Sequence, residues 1–368
     1  MKLADVTPYY HKKSGGVRRY LFEKSRFLSS TDISHILIVP GSTYSETKEG
    51  NTTIYTVRSI PLPLSGGYRM FHTLSEVKSI LRRESPEILE LGGSYQRIDS
   101  LVSNNYLLSV FYHADLRTEL SLLPVPKKIK KALLFNWIKK LSKADLVLTP
   151  SKKQEEFLKS YGLERVYTVN LGVDSSIFNP FQKDPDFRKN IHIPEDKALL
   201  LYVGRLSVEK GLLTLLKFFK QLDKKLFHLV IVGDGPLRSW VLRASKKLPN
   251  LTYLEYVGSN LDLARIYASC DIFVSASPLE TYGLSFLEAQ SCGCVLVSLD
   301  MGLETQPFKQ FLAKDLSESA FLEAIWRAKN ALSQELRMSI SNYIRHHFSW
   351  DQTFKNLVSL YSNALARA

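Results

Sequence analysis

The order of apolar and polar positions predicts an α/β protein made of two similar halves. Short β-branched and apolar runs alternate with amphipathic stretches, which is typical of βαβ units and a parallel sheet. The runs of the first half lie at His35–Pro40, Thr52–Val57, Glu87–Leu91, Tyr106–Tyr112 and Ala144–Thr149. Those of the second half lie at Ala198–Val203, Phe227–Val232, Leu251–Leu254, Asp271–Ser275 and Cys294–Ser298. The second set is almost entirely apolar, as strands covered on both faces should be.

A polar, proline-containing stretch, Asn179–Asp186, separates the halves and is suited to a linker. We therefore predict an N-terminal domain at 1–178 and a C-terminal domain at 187–348, with a ligand cleft between them. Residues 349–368 carry apolar positions at helical spacing, with Ser349 or Asp351 as a cap, so they predict a final helix.

Length and composition agree with two domains, since 368 residues with 45% apolar content can bury a substantial core. The first residues, Met1–His11, lack the apolar segment of a secretory signal, and no uncharged apolar run is long enough to span a bilayer. We therefore expect a cytoplasmic protein, with the inner face of the membrane as a further place of contact. Cys270, Cys292 and Cys294 are too few for a disulfide framework and predict buried thiols.

A formal net charge of +13 calls for an anionic partner or a role in solubility. The densest basic run, Lys127–Lys143, interleaves lysines with apolar residues such as Phe135 and Trp137. Helical spacing gathers the apolar side chains on one stripe with lysines on its flanks, which is typical of a helix at an anionic membrane surface. An ordinary surface helix that packs its stripe on its own core explains the pattern equally well. A nucleic-acid-binding surface is the third interpretation that the charge allows.

Two glycine-containing segments are candidate anion sites. Gly15 and Gly16 follow the apparent first strand, after Ser14, and precede a helical pattern, so backbone N–H groups there can approach an anion or form a plain turn. Gly204, Arg205 and Lys210 follow a buried strand of the second half. Since ligands bind beyond the carboxyl ends of parallel strands, the planar guanidinium and the compact ammonium suit a diphosphate; the alternative is a pair of solvated cations.

A third segment follows the strand Asp271–Ser275. Glu280 is predicted in the loop and Glu288 about a turn and a half inside the next helix. The free N–H groups of Gly283, Leu284 and Ser285 lie between the two carboxylates. Two hydrogen-bond acceptors on either side of an anion site match a ligand with phosphate in its middle and hydroxylated rings at both ends. The structural alternative is a helix-dipole partner and a surface ion pair.

His113 is the fourth candidate, at the carboxyl end of a strand of the first half. A lone histidine is often structural, but a strand end that faces a cleft favours contact with a ligand.

Together these segments resemble the retaining glycosyltransferase family 4. The resemblance rests on the Gly15-Gly16 pair, His113, the loop with Arg205 and Lys210, and the Glu280 to Glu288 segment, and further matches extend it over nearly the whole chain. It implies a GT-B fold, in which two Rossmann-like, doubly wound parallel-sheet domains face a central cleft. It also implies that the C-terminal helix packs back on the N-terminal domain.

The resemblance also implies roles for individual residues. Arg205 and Lys210 would bind the donor diphosphate and stabilise the leaving group, Glu288 the ribose hydroxyls, and Glu280 the hydroxyls of the transferred sugar. Gly16, with Gly15, would contact the distal phosphate, and His113 the sugar or the acceptor near the reacting carbon. The remaining donor contacts would come from Gly204, Gly283, Leu284 and Ser285, and from Tyr282, which stands where many members have phenylalanine. The catalytic set is therefore predicted to be His113, Arg205, Lys210 and Glu280.

The predicted reaction is transfer of a hexose of the mannose or glucose type from a nucleoside diphosphate to an acceptor hydroxyl with retention of configuration. The acceptor is predicted to be a glycolipid or a polysaccharide precursor. We expect no cofactor and no obligatory metal, because cations and helix N–H groups meet the departing charge. The alternatives are a nucleotide-sugar epimerase of the same architecture and a basic nucleic-acid-binding protein, although we predict no nucleic-acid partner.

Overall fold

The structure, a computed structural model, describes residues 1–10, 15–61, 69–93, 95–113, 116–121 and 125–367. The chain divides into unit 1, which comprises Met1–Leu171 and Trp350–Ala368, and unit 2, which comprises Gly172–Ser349. The final helix thus belongs to the same unit as the N-terminal half.

The predicted linker, 179–186, belongs to unit 2, since the division falls between Leu171 and Gly172. Two serine hydroxyl groups of unit 2 hold this stretch and the residue before it, Phe178. The Ser291 hydroxyl donates to the Phe178 carbonyl over 2.5 Å, and the Asp184 N–H donates to the Ser269 hydroxyl over 3.0 Å. Polar composition predicts exposure, but it does not show which unit the backbone joins.

The strands of unit 1 are β1 (Lys2–Val6), β2 (Ser34–Gly41), β3 (Ser45–Glu49), β4 (Thr52–Pro61), β5 (Arg69–Phe71), β6 (Ile88–Gly92), β7 (Leu107–Phe111), β8 (Leu146–Thr149) and β9 (Val166–Thr168). Those of unit 2 are β10 (Ala198–Val203), β11 (Phe227–Val232), β12 (Leu251–Leu254), β13 (Ile272–Ser275) and β14 (Val295–Ser298). Each run that the pattern predicted as a strand forms one, with ends that differ by at most a few residues.

The helices, in chain order, are α1 (Gly16–Leu28), α2 (Ser75–Glu84), α3 (Leu116–Ser121), α4 (Lys127–Leu141), α5 (Lys152–Lys159), α6 (Phe187–Asn190), α7 (Leu212–Phe219), α8 (Arg238–Lys247), α9 (Asn260–Ser269), α10 (Leu284–Ser291), α11 (Glu318–Ala331), α12 (Gln334–His347) and α13 (Trp350–Leu365). Short 3₁₀ helices lie at Tyr95–Ser100, Pro180–Gln182 and Lys309–Phe311. None of the helices in the described residues is long and apolar enough to cross a bilayer.

The sheet of unit 1 has the order β3-β4-β2-β1-β6-β7-β8-β9, with β5 beside β4. Its strands are parallel except β3 and β5, which pair antiparallel with β4. The predicted parallel sheet therefore carries antiparallel strands at one edge. All five residues of β3 are exposed and polar, so the apolar pattern did not predict this strand.

The sheet of unit 2 is parallel and has the order β12-β11-β10-β13-β14. β11 and then β12 follow β10 on one side of the sheet, and β13 and then β14 lie on the other side of β10. In unit 2 the reversal thus lies between β10 and β13, and in unit 1 the same reversal lies between β1 and β6. The carboxyl edge at such a reversal is where open α/β sheets bind ligands, because the loops on either side diverge there.

Helix α4 packs its apolar stripe on unit 1. Ile138 and Leu141 are buried in the core, and Leu134 and Trp137 pack against it. Phe135 is 61% exposed on the opposite face, where Lys131 and Lys139 are also exposed. The stripe thus belongs to an ordinary surface helix, and the face left to solvent is basic with one exposed aromatic ring.

The C-terminal helix joins a buried polar network in unit 1. The ammonium group of Lys24, on α1, lies 2.9 Å from Asp5 on β1 and 2.8 Å from Glu90 on β6. The Tyr20 hydroxyl donates to Glu90 over 3.0 Å, and the Tyr361 hydroxyl of α13 donates to the same carboxylate. Burial raises the pKa of Glu90 to about 7. Since all five side chains are buried, the network ties α1 and α13 to the sheet through groups that have no access to water.

We expect Lys24→Met to destabilise unit 1 by roughly 3–5 kcal/mol, because it removes the ammonium group that pairs with the buried carboxylates of both Asp5 and Glu90. Hydrogen exchange followed by mass spectrometry checks this, since it reports the opening of each unit separately. The control is Lys48→Met on the exposed strand β3, for which we expect a change within about 0.5 kcal/mol. Equal protection in the two variants would show that the network does not stabilise the unit.

Candidate active site

The predicted donor residues of unit 2 lie in the loops that follow β10 and β13, the two strands on either side of the reversal. Gly204, Arg205 and Lys210 follow β10, and Glu280 follows β13. Parallel strands end at the same edge, so segments far apart in the sequence become neighbours there. This is the edge at which a doubly wound sheet binds its ligand.

Lys210 and Glu280 meet across this reversal. The Lys210 ammonium lies 2.8 Å from a carboxylate oxygen of Glu280, and the two side chains are 34% and 12% exposed. The charge of Glu280 raises the pKa of Lys210, so the lysine stays protonated at neutral pH. The structure therefore brings together two of the residues that the sequence predicted at the donor, as a partly buried ion pair.

Arg205 is exposed, and its guanidinium makes no ion pair or hydrogen bond with the described residues. A hydrogen bond fixes the Arg205 backbone, because the hydroxyl of the buried Tyr202 donates to the Arg205 carbonyl over 2.9 Å. A guanidinium on an anchored loop can bind an anion without first breaking a protein contact.

Gly211 lets the lysine loop approach the end of β13. Its φ is +67°, and a Cβ there would lie 2.0 Å from the carbonyl oxygen of Ala276. Both the left-handed backbone and the close approach require glycine. Gly211 precedes α7, so this contact places the segment that carries Lys210 beside the loop that carries Glu280.

Helix α10 begins directly after Gly283, whose φ of +85° is likewise left-handed. Leu284 and Ser285 form the first turn and are partly exposed, and backbone N–H groups in a first turn have no partner within the helix. Tyr282 is buried, and its carbonyl accepts a hydrogen bond of 2.5 Å from the Thr305 hydroxyl. The turn is thus held in place, with a helix N-terminus of the kind that binds phosphate.

Glu288 lies one turn further along α10 and is partly exposed. The hydroxyl of Tyr267, on α9, donates to its Oε2 over 3.1 Å. Sequence reasoning did not identify Tyr267 or Tyr202, because nothing local in the sequence relates a buried tyrosine to the residue that it contacts.

In unit 1, Gly15 and Gly16 lie at the start of α1, the helix that follows β1 at the reversal of that sheet. Both are exposed, and a Cβ built on Gly15 would meet no atom of the described residues within 4 Å. Ser14, the first residue of the predicted motif, lies outside the described residues.

His113 follows β7, as predicted, and its imidazole ring contacts two aromatic rings. It stacks on Phe111 with ring centroids 4.2 Å apart, and Tyr20 meets it edge to face at 5.2 Å. Burial and the nearby charge of Lys24 lower the pKa of His113 to about 3. The imidazole is therefore neutral at physiological pH and can donate or accept a hydrogen bond, but it carries no charge.

Metal-binding residues do not cluster in the part of the chain that the structure describes, where no group of three or more His, Cys, Asp and Glu side chains could hold an ion. The three cysteines are buried, as the sequence predicted, and burial raises their pKa values.

Two family models match the chain. Residues 14–177 match Glycosyltransferase Family 4, and residues 183–347 match Glycosyl transferases group 1. Similar proteins include the GDP-mannose-dependent alpha-mannosyltransferase of Corynebacterium glutamicum, 26% identical over 80% of this chain and 71% of the relative. The GDP-mannose-dependent alpha-(1-6)-phosphatidylinositol dimannoside mannosyltransferase of Mycobacterium tuberculosis is 28% identical over 80% of this chain and 78% of the relative.

Solved structures share the fold at low sequence identity. Sucrose-phosphate synthase from Thermosynechococcus elongatus superposes with a TM-score of 0.81 at 18% identity and covers 100% of both chains. Anabaena HepE in complex with UDP-glucose has a TM-score of 0.73 at 13% identity and covers 99% of this chain and 100% of its own. These likenesses confirm the predicted GT-B fold. The chain therefore belongs to glycosyltransferase family 4, and it is a glycosyltransferase that uses a nucleotide sugar.

Proposed function

We propose that this protein transfers a hexose from a nucleoside diphosphate to an acceptor hydroxyl, with retention of configuration. The observation that carries the proposal is the Lys210–Glu280 pair at the sheet reversal. The exposed Arg205 lies in the same loop as Lys210, and α10 begins shortly after Glu280 in the chain. Cations and N–H groups suit the diphosphate, and carboxylates suit the hydroxyls of sugar and ribose. Family membership supports transfer over epimerisation, and it is also the basis for proposing retention.

The donor that we propose is GDP-mannose, and the acceptor a glycolipid or a polysaccharide precursor. Support comes from the relatives in Corynebacterium glutamicum and Mycobacterium tuberculosis, both of which are named for GDP-mannose, and the second for a phosphatidylinositol dimannoside. A glucose-type donor is the alternative, and an assay that compares GDP-mannose with UDP-glucose decides between them.

In the proposed mechanism the diphosphate takes the negative charge as the glycosidic bond breaks. Arg205, Lys210 and the N–H groups of Gly283, Leu284 and Ser285 stabilise that charge from positions set before the reaction. The acceptor attacks from the face that the diphosphate leaves, through an oxocarbenium-like state. A metal ion is not required in this scheme, because protein cations meet the developing charge.

Glu280 is proposed to accept hydrogen bonds from the transferred sugar, and Glu288 from the ribose. On diphosphate binding, Lys210 would divide its hydrogen bonds between the phosphate and Glu280, which would couple recognition of the phosphate to that of the sugar. The helix end at Gly15 and Gly16 would contribute N–H groups to the distal phosphate. His113 would contact the sugar or the acceptor as a neutral imidazole.

We expect Lys210→Ala and Glu288→Ala each to lower kcat/KM by about 10²–10³-fold, because each removes an interaction with a charged or hydroxylated part of the donor. The measurement is mannose transfer from GDP-mannose in the presence of EDTA, with circular dichroism to show that the fold persists. Lys217→Ala, which changes a lysine on α7 that is 72% exposed, is the control and should keep wild-type activity. Wild-type rates in both site variants would refute the site assignment, and loss of wild-type activity in EDTA would refute metal independence.

For His113→Gln we expect kcat/KM to fall by about tenfold or more, while the shape of its pH profile between about pH 5.5 and 8 stays that of the wild type. The pKa of His113, about 3, lies below that range, so the imidazole does not change charge within it. The pKa of His113 is lower in the folded protein than in the unfolded chain, so between about pH 6.5 and 3 the unfolded chain binds a proton that the folded protein does not. The free energy of unfolding therefore falls as the pH drops through this range and is unaffected by His113 titration above about pH 6.5. A limb of the wild-type profile near pH 6.5 that disappears in the variant would contradict a neutral histidine.

We also propose that the exposed face of α4 contacts an anionic membrane surface. Lys128, Lys131 and Lys139 are exposed there around Phe135, and the net charge of the chain is +13. The contact would be electrostatic, with one ring at the headgroup level, because the apolar stripe of the helix is already used by the core.

We expect the combined change of Lys128, Lys131 and Lys139 to alanine to weaken binding to phosphatidylserine-containing vesicles by about 100-fold, since each lysine near an anionic surface contributes about 1 kcal/mol. Co-sedimentation at low and high salt measures this. A control that changes Lys220, Lys224 and Lys225, which are exposed in unit 2, alters the net charge equally and should bind like the wild type. Equal loss in both triple variants would show attraction by net charge alone.

A further inference from the structure

Tyr267 lies directly beneath the carboxylate of Glu288. It belongs to α9, its side chain is fully buried, and its hydroxyl donates to Oε2 of Glu288 over 3.1 Å. Glu288 itself is partly exposed. The pair therefore joins a hydroxyl without access to water to the carboxylate of a partly exposed residue.

The ring of Tyr267 has little freedom to move. Phe178 and Phe273 pack against it, with ring centroids 6.0 and 5.9 Å away, and the thiol of Cys294 donates to the Tyr267 carbonyl over 3.0 Å. Burial and the charge of Glu288 raise the pKa of the phenol well above its ordinary value. The hydroxyl therefore keeps its proton and remains a donor to the carboxylate at any physiological pH.

We propose that Tyr267 is a positioning residue that orients the carboxylate of Glu288 toward the ribose, and that it thereby sets the discrimination between ribonucleotide and 2′-deoxyribonucleotide donors. This inference rests on the proposed function, in which Glu288 binds the ribose. Tyr267 touches no substrate in this scheme and acts only through Glu288.

Orientation matters because the two carboxylate oxygens of Glu288 would face the two hydroxyl groups of the ribose. A carboxylate binds a vicinal diol well only when its plane and rotamer match the two O–H groups, and glutamate has three torsions that can depart from that geometry. A hydrogen bond from a rigid partner to one oxygen removes much of this freedom before the ligand arrives, so less entropy is lost on binding. If the ribose of the nucleotide lacks its 2′-hydroxyl, the carboxylate of Glu288 has one hydrogen-bond partner fewer. The orientation of that carboxylate then contributes less to nucleotide binding.

The test is Tyr267→Phe, which keeps the ring and removes only the hydroxyl. Isothermal titration would measure the Kd of GDP, UDP and ADP, of their 2′-deoxy counterparts, and of inorganic pyrophosphate. For the ribonucleotide that binds best, we expect Kd to rise by about five- to tenfold. We expect Kd to change by less than about twofold for its 2′-deoxy form and not at all for pyrophosphate.

Tyr361→Phe is the matched control, because Tyr361 is also a fully buried tyrosine that donates to a glutamate, in unit 1. It should leave all these Kd values unchanged. In a Glu288→Ala background, Tyr267→Phe should have no further effect on nucleotide binding, because the group through which it acts is absent.

The outcomes separate this inference from the proposed function. If Glu288→Ala weakens ribonucleotide binding and Tyr267→Phe does not, the positioning role is wrong and the site assignment stands. Equal weakening of ribonucleotide, 2′-deoxyribonucleotide and pyrophosphate by Tyr267→Phe would indicate a general structural role and would also overturn it. If no ribonucleotide binds the wild type, or if Glu288→Ala has no effect, the donor site and the inference both fail.

Discussion

The reversal of strand order in each sheet is the constraint on which the rest of the structure depends. In a parallel sheet all strands end at one edge, and at a reversal the following loops leave in opposite directions. In unit 2 this brings Lys210 within 2.8 Å of Glu280, although 70 residues separate them. The N-terminus of α10 lies in the segment that follows the same strand, β13. Cations, carboxylates and helix N–H groups thus lie in segments that follow strands ending at one edge of the sheet.

Each unit contains a buried tyrosine that donates to a glutamate, and burial decides what each pair can do. Glu90 has no access to water and is surrounded by Lys24, Tyr20 and Tyr361, so its charge is used inside the protein. Glu288 is partly exposed, and Tyr267 holds it from the buried side. A fully buried and satisfied network such as that of Glu90 stabilises a fold. A hydrogen bond from the buried side, as Glu288 receives, limits the rotamers of a carboxylate on a partly exposed residue.

The cationic side chains divide in the same way. Lys24 is paired inside unit 1, Lys210 is partly buried and paired at the edge of the sheet, and Arg205 is exposed without a partner among the described residues. The lysines on the outer face of α4 are exposed to solvent. Exposed charges are screened by salt and act mainly through long-range attraction to other charged surfaces. A charge next to the low-dielectric protein interior is screened less and can bind a specific anion.

Local patterns in the sequence predicted much of this protein. The apolar runs predicted β10, β11 and β12 to the residue, because strands covered on both faces must be apolar throughout. Gly204, Arg205, Lys210, Glu280 and Glu288 were identified as candidates because their spacing matches a family pattern at the ends of such strands. The exposed strand β3 was missed, since polar residues carry no periodic signal of burial.

Only the tertiary structure decided which partners these residues have. The contact between Tyr361 and Glu90 spans 271 residues, that between Tyr267 and Glu288 spans 21, and nothing near either tyrosine in the sequence indicates its acceptor. The stripe of α4 is apolar whether it meets a membrane or its own core, and the packing of Ile138 and Leu141 decides for the core. The physical reason is that periodicity records which face of an element is buried. The group that covers that face is set by the packing of segments distant along the chain.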